Sequence, residues 1–139
     1  MDLTEIPFNR FIGLERSPRE GFLFQLPAAD HYQNHLGTLH AGALMALAEA
    51  SSGEVMLEAI GHLGDTIIPV VRRFESKFRR PATGCVATRA SLTARERERL
   101  LSDLSGKGRG SVAIAVEVVD EQDLVCVTAT VEWFVSRRS

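Results

Sequence analysis

The chain is expected to form an α+β fold in which one long central helix is wrapped by a curved, mainly antiparallel sheet of five to six strands. Three observations predict this. A single stretch of strong helix formers, uninterrupted by proline, runs from about Leu39 to Ile60. Four segments of strand character follow it, joined mainly by short turns, which favours antiparallel neighbours. The helix is also apolar around most of its circumference, and a surface of that kind calls for a sheet that curves around it.

Taken in order, Gly21–Leu26 alternates weakly and is closed by Pro27, and Phe11–Leu14 is expected to be its partner strand. Gly61 is the expected stop of the long helix. At about 100° per residue, Glu54 and Glu58 share a narrow solvated stripe, while Leu44, Met45, Ala48, Met56, Leu57 and Ile60 cover most of the remainder. Glu49 falls between Met56 and Ile60, roughly opposite that stripe. Beyond the helix, Ile67–Pro81 reads as a long extended run with Val70, Phe74 and Phe78 facing the core and Arg73, Glu75, Lys77 and Arg79 facing water. The turn Pro81–Gly84 leads to a strand over Cys85–Thr93. Ser111–Val119, with Val112, Ile114, Val116 and Val118 on one side, and Leu124–Val135 complete the set. Ala94–Leu104 is a charged insert with Leu100, Leu101 and Leu104 at helical spacing. Ser105–Ser111 lacks the two glycines, four apart, followed by Lys and Ser or Thr that bind phosphate, and reads as a flexible hairpin connection.

A chain of 139 residues suits one domain spanning positions 1–139. Apolar residues make up 45% and charged residues 24%, which disfavours a largely disordered chain, and a net charge of −2 gives no electrostatic footprint for nucleic acid. Cys85 and Cys126 lack the close spacing of a zinc knuckle or redox pair and are expected to be buried, reduced thiols. The N-terminus has neither the basic head nor the apolar run of a signal peptide, and no segment reaches about 18 consecutive apolar residues. A cytoplasmic protein without a membrane partner is expected.

The chemistry concentrates in Asn34-His35-Leu36-Gly37-Thr38-Leu39-His40-Ala41-Gly42, a polar turn running straight into the helix. Exposed N–H groups at a helix start favour developing negative charge, and Glu49, about two turns on, could act as nucleophile or base toward whatever that start binds. This order suggests acyl chemistry. A buried, unpaired carboxylate stays protonated, so Glu49 needs a partner or a purpose; the plainer alternative is an edge carboxylate reaching water or a strand arginine. Asn34 is alternatively a turn residue capping neighbouring N–H groups, His40 a ring that stabilises the helix start, and Ala41 and Gly42 small residues for close packing. His31, His35 and His40 raise the question of a metal, but they lie in a loop without acidic or cysteine ligands, so no metal is expected. Ser51 and Ser52 lie inside the helix and outside any Gly-x-Ser-x-Gly elbow, which disfavours a serine hydrolase. Arg72, Arg73, Arg79 and Arg80 read as a solvated strand face or, functionally, as a grip on the phosphates of a nucleotide-bearing substrate. Met45, Met56, Leu57 and Ile60 suggest an apolar pocket that suits aliphatic and aromatic groups alike.

These residues resemble the hotdog-fold acyl-CoA thioesterases, particularly the branch that includes the phenylacetate-pathway enzymes. The similarity spans most of the chain. Its most specific piece is Asn34–Gly53, NHLGTLHAGALMALAEASSG, which is similar to the family's asparagine, His-Gly-Gly, apolar helix and acidic residue. Phe78–Gly84 resembles the family's strand end and turn, and Val112–Val135 its final hairpin. The resemblance implies a homodimer with sheets edge to edge and active sites at the interface, and leaves a dimer of dimers open. It implies that Glu49 attacks the thioester or activates water, that the Ala41 N–H polarises the carbonyl, that Asn34 orients the water or the carboxylate, and that His40 matches the histidine before the helix. Gly42, Met45 and Met56 are then expected along the acyl group and Arg79 and Arg80 at the phosphates. No metal or redox cofactor is expected; coenzyme A enters as part of the substrate, and an acyl-carrier thioester is the other candidate.

Two departures stand out. Ala41 replaces the more usual glycine, narrowing the acyl space but keeping the N–H, and Ala94–Leu104 stands where many relatives have a tight hairpin, either covering the CoA site or lengthening a connection. Two further readings stay open: a dehydratase or hydratase of acyl thioesters with His40 as base, and a non-catalytic acyl-CoA binding module.

Overall fold

The sheet is built outward from its two most regular strands. In the computed structural model, which describes all 139 residues, β5 (Arg109–Val119) buries Val112, Ile114, Val116 and Val118, none more than 2% exposed. It pairs along its length with β6 (Val125–Arg137), whose Val127, Val131 and Val135 are fully buried on the same face. β3 (Ile67–Phe78) joins the far side of β6, and β4 (Val86–Ser91), β2 (Phe24–Leu26) and β1 (Glu15–Arg16) follow beyond β5. The order is β1-β2-β4-β5-β6-β3, antiparallel at every step.

α2 (Ala41–Ile60) is the rod that this sheet wraps. It packs chiefly on β5, β4, β2 and β6 and buries even its serines. Ser51 donates to the Leu47 carbonyl at 2.9 Å and lies 2.5 Å from the Thr88 hydroxyl of β4; Trp133 of β6 donates its indole N–H to Ser52 at 2.8 Å. These bonds satisfy polar groups that would otherwise be costly to bury. Of the expected Glu54–Glu58 stripe, Glu58 is exposed, whereas the Glu54 side chain is only 15% exposed and forms an ion pair with Arg16. No helix is long and apolar enough to cross a membrane.

Several local expectations change. Phe11–Leu14 is not a strand: Pro7 preorganises a short helix, α1 (Pro7–Phe11), and the chain turns at Gly13 (φ 75°) before Glu15 and Arg16 pair with β2. Gly61 does end α2, as its C-cap, but with a right-handed backbone, so a 3₁₀ segment runs on through Thr66 and the reversal comes at Gly64 (φ 56°). In β3 a bulge between Val71 and Arg73 inserts one residue, so Val70 and Phe74 fall on opposite faces instead of sharing the core side. Its inner face stays partly open because it is the sheet edge and α2 lies away from it: Val71 is 39% and Phe78 49% exposed.

The insert forms α3 (Ala94–Gly106), capped by the Thr93 hydroxyl accepting the Glu96 N–H at 3.1 Å, with Leu100 and Leu104 buried against β5. The expected flexible hairpin is therefore a tight junction, in which Lys107 and Gly108 (φ 75°) alone separate α3 from β5. Cys126 is buried, but Cys85 is only half-buried at the start of β4.

Ile114 is fully enclosed beneath α2. Ile114→Ala is expected to cost about 2–5 kcal/mol, read in urea as a lower midpoint at unchanged slope; no loss would mean that this face is not the packed core.

Candidate functional site: a carboxylate on the open side of the central helix

The turn before α2 is held by Asn34. Its Oδ1 accepts the N–H groups of Leu36 (2.8 Å) and Thr38 (3.2 Å), and its Nδ2 donates to the Thr38 hydroxyl (2.9 Å) and the Leu39 carbonyl (3.4 Å). Both donors and both acceptor positions of the amide are thus occupied within the turn. The turn is docked by Leu39 N–H on the Ala82 carbonyl (2.9 Å) and His40 N–H on the Tyr32 carbonyl (2.7 Å).

His40 is the N-cap of α2, its Nδ1 accepting the Gly42 N–H at 2.8 Å. The Ala43 and Leu44 N–H groups both reach the His40 carbonyl, at 3.0 and 3.2 Å. Of the first four N–H groups of the helix, Ala41 alone keeps a free donor, at the positive end of a 20-residue dipole.

Two hydrogen bonds locate Glu49 around the helix axis. Ser51 points to Thr88 on β4, and Ser52, about 100° further round, to Trp133 on β6. About 60° more in the same sense reaches Glu49, on the side where the sheet continues to β3. There α2 leaves β3 largely uncovered, and Glu49 is half-buried. Burial pushes its carboxyl above the ordinary range, and no cation or donor offsets that shift. Met45 and Gly42 share this open face, Met45 being 38% exposed, whereas Met56 is only 2% exposed and belongs to the core. The sequence gives no signal for Trp133 beyond its being the only tryptophan, yet its ring lies 3.5 Å from where a Cβ on Gly53 would stand, one helical turn from Glu49.

Glu49 lies eight residues after Ala41, about 12 Å along the axis. A glutamate side chain spans less than half of that. Arg79 and Arg80, at the end of β3, are brought to the same end of the molecule as the helix start through the Leu39–Ala82 bond; Arg79 donates to the Thr128 hydroxyl at 3.1 Å and Arg80 is exposed. Arg72 stacks over the Phe134 ring at 4.8 Å and Arg73 pairs with Glu75 at 2.5 Å, a solvated strand face. Two cavities, of about 990 Å³ over the outer sheet face beside Lys77 and Glu117 and of about 710 Å³ beside Leu57 and Ile68, are lined by neither Glu49 nor Ala41.

The folded state holds the Glu49 proton more tightly than the unfolded chain does. Its stabilising effect is present below the ordinary carboxylate range and is lost as pH rises through the raised value. Glu49→Gln is therefore expected to raise Tm at about pH 8 and to shift it much less at about pH 4; thermal scans showing equal shifts would contradict the desolvated carboxylate.

Solved structures share this architecture. PA5026 of Pseudomonas aeruginosa, named a probable thioesterase, is 27% identical with a TM-score of 0.83, the match covering 98% of this chain and 91% of that one. HI1161 of Haemophilus influenzae, named a thioesterase, has a TM-score of 0.69 at 19% identity, covering 97% and 86%. BH2602 of Bacillus halodurans, solved with CoA, has a TM-score of 0.63 at 19% identity, covering 81% and 69%. No curated protein matches the chain. The likeness bears out the hotdog fold, a long helix wrapped by a curved antiparallel sheet. Residues 20–135 match the family described as Domain of unknown function (DUF4442), and the chain belongs to that family.

Proposed function

We propose that the chain is an acyl-CoA thioesterase acting as a homodimer, with each site assembled from two copies. The observation that carries this reading is Glu49: a half-buried carboxylate without a partner, on the open side of a helix whose start keeps one free N–H. The Ala41 N–H draws on the thioester carbonyl oxygen, where negative charge develops. Glu49 takes a proton from water as the water oxygen attacks the carbonyl carbon, or attacks the carbon itself to give a mixed anhydride that water then hydrolyses, releasing the acid and the proton. The tetrahedral intermediate collapses with cleavage of the carbon–sulfur bond, and CoA leaves as a thiolate that recovers the proton. A carboxylate raised by burial is better matched to general-base work near neutral pH than an ordinary one.

The separation along α2 means that one chain cannot bring both groups to one carbonyl, so Glu49 of one copy serves the Ala41 N–H of the other. β3 supports such pairing: it is a 12-residue sheet edge with Ile68, Val70 and Val71 exposed, a liability unless another strand covers it. Arg79 and Arg80 are suited to the phosphates of CoA, Gly42 and Met45 to the acyl group. Asn34 and His40 then act as positioning residues, holding the turn that leaves the Ala41 N–H free. The thioesterase names of PA5026 and HI1161 and the CoA in BH2602 support the substrate class. The hydratase reading is weaker because the His40 nitrogen that would take a proton already accepts from Gly42.

Thiol release from a panel of short, long and aryl CoA esters tests the reading. Glu49→Gln is expected to lower kcat by about 10²–10⁴, and wild-type kcat is expected to rise with pH through the elevated Glu49 pKa. Unchanged turnover in the variant would refute the assignment, and tight binding without turnover by the wild type would favour a binding module.

A further inference from the structure

Gly53 follows Glu49 by four residues, so the two share one face of α2, one turn apart. The space that a side chain at Gly53 would take is filled from two other segments: a Cβ there would stand 3.4 Å from Leu3 Cδ1 and 3.5 Å from the Trp133 ring. Because Cα–Cβ bonds in a helix tilt toward its N-terminus, that spot lies over the turn joining Gly53 to Glu49. Leu3 and Trp133 thus close the carboxylate's face within one turn on its C-terminal side. On the other side Met45, four residues before Glu49, occupies the same strip. From Met45 to Gly53 the strip measures about 12 Å along the axis.

Both closing groups are fixed in place. Trp133 donates its indole N–H to the Ser52 hydroxyl at 2.8 Å, and Ser52 in turn donates to the Glu49 carbonyl at 2.7 Å, which ties the ring to the residue it borders. Leu3 opens a 3₁₀ turn (Leu3–Glu5) capped by Asp2, whose carboxylate accepts the Thr4 N–H at 3.0 Å. The Leu3 carbonyl accepts the Asn9 side-chain amide at 3.0 Å, and Arg16 pairs with both Asp2 and Glu54, the residue after Gly53. These bonds dock the N-terminal turn on α2 beside the carboxylate's face. Leu3 is 6% and Trp133 8% exposed, so neither is a surface ornament of the helix.

We propose that Leu3 and Trp133 are the end wall of the acyl slot and give the site a preference for short acyl groups, an inference that rests on the acyl-CoA reading of Glu49. An acyl group whose carbonyl carbon meets Glu49 has one turn of helix before it meets these side chains. A short chain leaves water against Met45 and the wall, and each buried methylene contributes. A long chain must displace Leu3 or trail into solvent, where its further methylenes gain nothing.

The test measures kcat/KM for propionyl-CoA and decanoyl-CoA with the wild type, Leu3→Ala and Leu3→Met, thermal unfolding reporting that each is folded. The wild type is expected to favour propionyl-CoA. Leu3→Ala is expected to raise the decanoyl-to-propionyl ratio about tenfold, and Leu3→Met, which refills the volume, to return it to the wild-type value. If Leu3→Ala does not fold, Leu3→Val, one methylene smaller than the native side chain, carries the comparison with a smaller rise in the same direction. A wild type that does not favour propionyl-CoA, or a ratio that the smaller side chain does not move, overturns the wall while leaving the Glu49 site standing. Absence of thiol release from every CoA ester of the panel overturns the wall together with the reading of the site.

Discussion

A carboxylate carried on an apolar helix flank must be solvated, paired or used, and that constraint organises this molecule. At Glu49 no cation or donor stands nearby, and burial keeps the charged form unfavourable. The sheet order decides why the group is not sealed. Ser51 and Ser52 tie α2 to β4 and β6, so the helix sits over the middle of the sheet and its next face looks across an uncovered edge strand. Had α2 lain one strand further along, Glu49 would be locked in the core.

The start of the same helix is prepared by a different economy of hydrogen bonds. Asn34 spends its whole amide on its own turn, and His40 takes the Gly42 N–H and shares its carbonyl between Ala43 and Leu44. What remains is a single unspent donor at Ala41. Preorganisation of this kind costs nothing when charge develops, because the dipoles are already aligned. The acid and the donor lie about 12 Å apart along α2, and the proposed dimer is what would resolve that separation and cover the β3 edge.

Much of this was legible in the sequence. Strict alternation in Val112–Val118 specified the central strand, and proline-free helix formers specified α2, because periodicity reports directly on a packed face. The order Asn34, His40, Ala41, Glu49 singled out the turn and the start of α2, although a spacing cannot tell a group that bonds substrate from one that bonds its own loop, as Asn34 does. The misses have physical causes. A one-residue bulge in β3 reverses a face assignment without leaving a mark in composition, and the expected Phe11–Leu14 strand gives way to the end of a short helix that Pro7 starts. Trp133 reaches the neighbourhood of Glu49 only through tertiary pairing of distant segments, which no local pattern encodes.

The account turns on one acid and one donor belonging to different copies, and a mixed assembly reads this directly. Ala41→Pro deletes the N–H while suiting the first helical position, where His40 already has the extended backbone (ψ 137°) that precedes proline. Each single variant, Ala41→Pro or Glu49→Gln, assembles only defective sites. Dimers combining one chain of each contain one intact site and one doubly defective site, so purified mixed dimers are predicted to release thiol at about half the wild-type rate. Mixed dimers as inactive as their parents would place both groups in one chain and contradict the account.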